Sequence, residues 1–544
     1  MTNFSDPPSW VSDAVFYQIF PDRFASSARV AKPGPLEPWD APPTFHGFKG
    51  GDLLGIVERL DYLAELGITA LYLTPVFSSA SNHRYHTYDY LQVDPLLGGD
   101  GALRELLDEA HRRDMRVVLD GVFNHSGRGF WPFHHVVENG AKSPYVDWFY
   151  VDHEALAAGQ MLRPYPTAED LRKLEQTATG GEHRLGDVSL RQLGYRAWWD
   201  LPALPKLNTG NAQMREHLLG AAEHWLRFGI DGWRLDVPEE IDAGFWREFR
   251  QRVRAINPDA YIVAEIWRQK PEWLTGDTFD GLMNYPLAEG LLSFVGGPHL
   301  DMQIVSSQHE YREFVRPIDG PTFAQGLEHL LAAYRPESTS AQLNLPGSHD
   351  TPRFVTVCGG DRASLMLATL AQMTLPGAPC IYYGDEIGMA GRHDPDNRRA
   401  FVRDETQWDA ELLGFVRAAV ALRRSEPVLR HGEARMLAAE GSAVAFARSG
   451  RDGAAGAAQG GADVAIVALN AGSQAARLRI PAPESTGPFE LVALPPLVGA
   501  TLSGGAETEA QLTLDLPARS GAVFVARSTL RSTPAGSSPA SLGG

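Results

Sequence analysis

Between about residue 14 and residue 390, short runs of β-branched and aromatic residues alternate with stretches of helical period. Continuous or alternating apolar runs of this length predict strands, and apolar residues three and four apart predict helices. The strand-like runs are AVFYQIF from Ala14, ALYLTPV from Ala70, RVVLDGV from Arg116, GWRLDV from Gly232, YIVAEIW from Tyr261, GLMNYP from Gly281, QLNLPGSHD from Gln342 and APCIYYGDE from Ala378. Eight strands alternating with helices are what a (β/α)8 TIM barrel requires. Leu53, Ile56, Leu60, Leu63 and Leu66 trace one helical face that ends at Gly67. Met214, Leu218, Trp225 and Phe228 trace another that ends at Gly229, and a glycine just past the last apolar position is a usual helix stop.

The pattern is interrupted after the third run. Residues 126–202 are far longer than an ordinary βα loop, which predicts an inserted subdomain over the barrel mouth. Beyond about Arg430 the alternation becomes short, with AVAFARS, DVAIVALN, RLRIPAP and AVFVARS separated by glycine-rich turns, the pattern of an antiparallel β-sandwich. The expected partition is a barrel of residues 1–125 and 203–429, an inserted subdomain at 126–202, a C-terminal sandwich at 430–527 and a disordered polar tail at 528–544. The Gly450–Gly461 stretch is rich in Gly and Ala and reads as a mobile loop.

Length and charge then narrow the function. A chain of 544 residues exceeds what one core organises, in line with this partition. Its net charge of -18 lacks the basic footprint of a nucleic-acid or anionic-membrane binder, so a neutral or cationic substrate fits better. Cys358 and Cys380 are the only cysteines, too few for a disulfide framework, and read as buried free thiols. The opening MTNFSDPPSW carries no basic-then-apolar leader and no membrane-length apolar run follows, so a cytoplasmic protein is expected.

Catalytic groups of such barrels collect at the C-terminal ends of strands, and here those ends are acidic. The third run closes as Asp120, Gly121, Val122, Phe123, Asn124, His125; the fourth carries Arg234 and Asp236, the fifth Glu265, and the seventh His349 and Asp350. Alternate strand residues share a face, so the Arg234 guanidinium is expected to favour an ionised Asp236, the state a nucleophile needs. Val263 and Trp267 flank Glu265 on its own face, partly apolar company that raises a carboxyl toward a general acid. Two carboxyls in opposed environments suggest glycosidic chemistry. A lone acid at a strand end is more often a structural ion pair or cap, but four polar strand ends aimed at one mouth are poorly explained that way.

With these residues the chain resembles the α-amylase family of glycoside hydrolases over nearly its whole length. The motifs are DGVFNH from Asp120, GWRLD from Gly232, VAEIW around Glu265 and SHD from Ser348, in that order. The resemblance implies a retaining double displacement, with Asp236 as nucleophile, Glu265 as general acid/base and Asp350 gripping the sugar hydroxyls. It implies that His125 and His349 bind hydroxyls of the same sugar, that Arg234 holds the nucleophile and that Tyr85 is the aromatic on which the sugar stacks. LPKLN from Leu204 and SHDTPR from Ser348 are similar to the subgroup of neopullulanases, cyclomaltodextrinases and maltogenic amylases. That likeness places Asp394 and Arg398 at the innermost sugar and Glu240 near the acceptor. The implied substrate is an α-1,4-linked maltooligosaccharide, cyclodextrin or related α-glucan, with transglycosylation as a side activity. A glucanotransferase or a sucrose- or trehalose-type isomerase is the alternative outcome of the same chemistry. A catalytically dead sugar-binding protein is disfavoured by the complete carboxylate set.

Four positions depart from that subgroup. The first strand begins near Ala14, without the N-terminal module that supports dimers, which leaves homo-oligomer formation open. GWRLDVANE becomes GWRLDVPEE, so Glu239 replaces an amide. The loop after PDRF, usually able to hold calcium, reads ASSARVAKPG with no carboxylate, so no metal or other cofactor is expected. His86 stands where an Asp is commoner. His83, His86, His134 and His135 lack a spacing that completes a zinc set. Phe130, Trp131, Trp198 and Trp199 each read first as core of the inserted subdomain.

Overall fold

A computed structural model describes residues 5–177, 186–450, 462–484, 487–504 and 511–527. All eight predicted barrel strands are present: β1 (Phe16–Ile19), β2 (Ala70–Leu73), β3 (Arg116–Gly121), β4 (Gly232–Leu235), β5 (Tyr261–Ala264), β6 (Gly281–Leu282), β7 (Leu343–Asn344) and β8 (Ala378–Tyr382). Parallel pairing runs from β1 through β6 in sequence order, β8 joins the other side of β1, and β7 pairs with β8. A Met283–Leu343 bridge between the β6 and β7 ends closes the ring.

Alternation along the strands sorts the side chains into two layers. Phe16, Tyr72, Val118, Tyr261, Val263, Leu343 and Cys380 point into the barrel and fill its interior. Their neighbours Tyr17, Leu71, Leu119, Trp233 and Ile262 face outward into the larger core beneath the helices. Every second inward position at the top of this packed interior is therefore free to carry chemistry at the barrel mouth.

The helix expected over Leu53–Leu66 is two, Leu53–Val57 and Leu60–Leu66, interrupted at Glu58 and Arg59. All five apolar residues of the face are nevertheless buried. Periodicity reports which face is covered, and it is blind to one interrupted turn. Asp52 caps the first helix by accepting from the Gly55 N–H, and Gly67, at φ 88°, ends the second in the left-handed conformation that glycine adopts cheaply. The helix Ala212–Phe228 ends at Gly229 as expected.

The described part of the inserted subdomain holds the helices Trp131–Asn139, His153–Ala157, Ala168–Thr177 and Asp187–Leu193. A backbone bridge from Phe149 to Leu207 ties it to the barrel, and a bridge from His125 to Lys206 joins the two chain segments at its base. Phe130 belongs to its core, as expected, but Trp131 is 59% exposed and Trp199 41%. Two sheets form the C-terminal sandwich. Strands β9 (Glu433–Glu440), β10 (Ala443–Ser449), β11 (Val464–Asn470), β12 (Ala476–Pro481), β13 (Phe489–Val492), β14 (Thr501–Gly504), β15 (Gln511–Leu516) and β16 (Ser520–Ala526) are all paired antiparallel. The orders are β9-β10-β11-β16-β13 and β12-β15-β14, and Ile466, Ala468, Leu478, Ile480, Leu514 and Phe524 pack between the sheets. The expected tail and nearly all of the Gly450–Gly461 loop lie outside the described residues. Cys358 and Cys380 are buried free thiols. Among the described residues no helix is long and apolar enough to cross a membrane.

Candidate active site

Strand register puts Asp120 of β3 beside Arg234 of β4, and the chain after β4 carries Asp236 on the same inward face. Arg234 is fully buried, and its Nη1 donates to both Asp120 oxygens at 2.9 and 3.0 Å and to Asp236 Oδ1 at 2.9 Å. Its Nη2 lies 2.9 Å from Glu265 Oε2, just past the end of β5. One guanidinium thus holds three carboxyls. Glu265 Oε2 also accepts the Val237 N–H at 3.2 Å, and Oε1 accepts the Trp267 indole N–H at 3.2 Å. The expected Arg234–Asp236 pair and the raised Glu265 are both present, and the structure adds Asp120 and Glu265 as further partners of the same guanidinium. The strand ends converge on the barrel axis, so a long central cation reaches acids from both neighbouring strands.

Burial is the first cause of every carboxyl shift here. It pushes Asp236 well above the ordinary range, with the Glu265 charge adding to the rise and Arg234 opposing it. Glu265 is raised as well, by burial against the lowering effect of Arg234 and with the Asp350 charge adding to the rise. Several like charges here share a dry space with one fully buried cation, so burial and mutual repulsion raise these carboxyls together. Asp120, which also accepts the Tyr72 and Tyr85 hydroxyls at 2.8 and 2.9 Å, is pushed up to about 6, again by burial.

Asp350, the third acid, stands beyond β7 with its side chain 26% exposed. Arg398 Nη2 donates to its Oδ1 at 3.3 Å, and Arg398 Nη1 lies 3.1 Å from Asp394. His349 is fully buried, with Nδ1 2.8 Å from Gln18 Nε2 of β1 and Nε2 2.5 Å from the Tyr85 hydroxyl. Burial holds its imidazole neutral, far below the usual range. The Tyr85 and His349 rings lie parallel, 5.5 Å between centroids. His125, on the other side, is also buried and neutral, its pKa lowered to about 3 by burial. The Trp198 ring stacks on it at 4.9 Å, and among the described residues neither His125 Nε2 nor the Trp198 indole N–H has a protein partner. Two buried, unpartnered polar groups side by side fit a sugar hydroxyl. Trp198 therefore faces the site and is no part of the subdomain core.

Beside Asp394 and Arg398 opens a cavity of about 390 Å3 walled by Arg23, His46, His83, His86, Tyr88 and Arg128. Its size suits a small ligand. His86 contributes a ring that burial keeps neutral, at about 4, and His83 lies edge-on to it at 4.9 Å. Among the described residues no group of three metal-binding side chains gathers. Glu240, also predicted for the site, is engaged by Lys206 Nζ at 3.0 Å, and Glu239 lies 3.6 Å from Lys270 Nζ. The sequence singled out neither Gln18, Tyr72 nor a bridging role for Asp120, although Asp120 had shown itself as an acidic strand end.

Known proteins are similar to this chain in sequence and fold. The family description "Alpha amylase, catalytic domain" matches residues 18–424. A cyclomaltodextrinase of Geobacillus thermopakistaniensis is 40% identical, over 87% of this chain and 71% of that protein. The solved structure of a debranching enzyme from Nostoc punctiforme is 42% identical with a TM-score of 0.79, covering 96% of this chain and 99% of that one. A cyclic α-maltosyl-(1→6)-maltose hydrolase from Arthrobacter globiformis, solved with that sugar, is 35% identical with a TM-score of 0.77, covering 96% and 100%.

Proposed function

This chain belongs to the alpha-amylase family of glycoside hydrolases, and from that membership and its site we propose that it cleaves α-1,4-glucosidic bonds of maltooligosaccharides and cyclodextrins with retention of configuration. The observation that carries the mechanism is the single Arg234 guanidinium spanning Asp236 and Glu265. A shared guanidinium supports the close spacing of a retaining pair, about 5–5.5 Å, over the roughly 6.5–9.5 Å that admits a water between inverting carboxyls. Asp236 attacks the anomeric carbon as Glu265 protonates the departing oxygen. A β-glycosyl enzyme forms, and Glu265 then takes a proton from the water that resolves it. Asp350, paired with Arg398, and the neutral His125 supply hydrogen bonds to the sugar in the strained, positively charged transition state, while His349 stands behind them, held between Gln18 and Tyr85. Transfer to a second sugar is the alternative fate of the same intermediate.

We assign no calcium to the loop that follows Phe24. In the loop where the family resemblance allows calcium, Lys32 Nζ donates to Leu96 O at 2.6 Å and lies 3.1 Å from Asp52, and Lys49 Nζ donates to Pro38 O and Ala41 O. The Lys32 ammonium already supplies positive charge in that loop and repels a dication. A chelator should leave the melting temperature unchanged, and a fall of several degrees refutes this assignment.

The deciding experiment follows products from maltotriose, β-cyclodextrin, starch, pullulan, sucrose and trehalose by chromatography and NMR. Initial α-anomers support the reading, and initial β-anomers refute retention. Asp236→Asn should abolish turnover with the fold intact. A second reading, cleavage of α-1,6 links, is favoured by the names of the two structural relatives. Pullulan separates them: panose reports α-1,4 cleavage and maltotriose α-1,6.

A further inference from the structure

The two oxygens of Glu265 are not equivalent. Oε2 accepts the Val237 N–H at 3.2 Å and lies 2.9 Å from the Arg234 guanidinium. Val237 is built for that contact: it sits at φ 36°, ψ 53°, a left-handed conformation that a β-branched residue adopts only at a cost. Pro238 follows it and starts a short 3-10 turn, which fixes the direction of the amide. A proton on Oε2 would face an N–H and a cation at once. Among the described residues Oε1 meets only the Trp267 indole N–H, at 3.2 Å. Trp267 is itself clamped, its ring lying flat on Tyr285 at 3.6 Å, and the Tyr285 hydroxyl lies 3.1 Å from the Ser348 hydroxyl.

Resting on the retaining reading above, we infer that Glu265 gives and takes its proton at Oε1, and that Trp267 is the residue that positions that exchange. In the first half-reaction the Oε1–H proton passes to the glycosidic oxygen. The C1–O bond breaks with its electron pair going to that oxygen, and an Asp236 oxygen bonds to C1. In the second half Oε1 accepts a proton from the incoming water as the water oxygen replaces Asp236. The indole N–H bond strengthens as Oε1 becomes charged, so it makes Glu265 a better acid at the moment the proton leaves. The charged and titratable groups facing Glu265 are Arg234 and Asp236 on the β4 side, Asp120 on β3 through Arg234, Asp350 beyond β7 and Tyr285 beyond β6. None of them donates to Oε1 among the described contacts.

Trp267→Phe tests the inference, because phenylalanine keeps a flat face for Tyr285 and removes the N–H. The readout is kcat/KM on two substrates. Maltotriose has a leaving group that needs a proton, and 2,4-dinitrophenyl α-maltoside has one that does not. The expected result is a loss of about tenfold on maltotriose and a change under twofold on the aryl substrate. The basic limb of the maltotriose pH profile should also move up by about one unit, since the ionised acid has lost a donor. Equal losses on both substrates, or no loss on either, overturn the inference. If the Phe variant does not fold, Trp267→Tyr, which also lacks the indole N–H, gives the same comparison. Wild-type anomer analysis keeps the two claims apart. β-Anomers sink the retaining reading itself, whereas α-anomers with equal losses sink only the role of Trp267.

Discussion

Arg234→Lys probes the centre of the site most directly, because it keeps the positive charge and removes the geometry. The guanidinium contacts Asp120 and Asp236 through Nη1 and Glu265 through Nη2, all near 2.9 Å. A single ammonium on a flexible stem cannot span three carboxyls on two sides of it. We expect it to keep one and lose two. Charge-assisted contacts contribute about 1.5–3 kcal/mol each, so losing two costs roughly 3–6 kcal/mol, or on the order of 10²- to 10⁴-fold in kcat/KM if the loss falls on the transition state. The pH profile carries the sign. Arg234 lowers Asp236 against the rise caused by burial and Glu265, so weakening it raises Asp236 further and moves the acid limb to higher pH. The assay is kcat/KM for maltotriose from pH 4.5 to 8.5, with circular dichroism confirming the fold. A loss below tenfold with an unmoved acid limb would falsify the shared-guanidinium account.

Three further outcomes follow from the same geometry. Burial pushes the Asp120 carboxyl from 3.8 up to about 6; folding therefore takes up a proton, and this group's contribution is full below 3.8 and lost as pH rises through 6. Asp120→Asn lacks that loss, so its unfolding free energy relative to wild type should rise by roughly 3 kcal/mol between pH 3.5 and 7.5 in urea titrations, and a relative fall refutes the sign. Lys32→Ala removes an ammonium that is 14% exposed and bonded to Leu96 O and Asp52; a destabilisation of about 1–3 kcal/mol is expected, and an unchanged urea midpoint counts against the internal-cation reading of that loop. Val237→Gly relieves a left-handed conformation costing about 1–2 kcal/mol and adds about 0.5–1 kcal/mol of backbone entropy loss. Its melting temperature should hold while kcat/KM falls severalfold as the amide loses its fixed aim at Glu265, so unaltered kinetics argue against that aim.

How far the sequence reached can be judged from individual residues. The barrel was legible because each strand has a continuous apolar signature and each outward-facing helix a period, and both survive wherever the packing they describe is real. The break at Glu58 and Arg59 was invisible because five leucines and isoleucines bury the same face with or without it. Asp236, Glu265 and Asp350 were legible as strand ends. Arg234 was legible as the partner of Asp236 because it lies two positions away, but contacts between residues far apart in sequence were not: Arg234 meets Asp120 across 114 positions, and Tyr85 meets His349 across 264. Pattern assigns a residue to a face, but only the closed ring decides what faces it. Trp198 shows the same limit from the other side. An aromatic in an insertion is most often core, and nothing local distinguishes one that stacks on His125 with its N–H unpartnered. The consequence reaches the chemistry itself. Read along one strand, Arg234 makes Asp236 an isolated ionised nucleophile, whereas in the ring the same cation is divided among three acids. The protonation of the site is then a property of the cluster, and the nucleophile's charge depends on what the acid/base beside it holds.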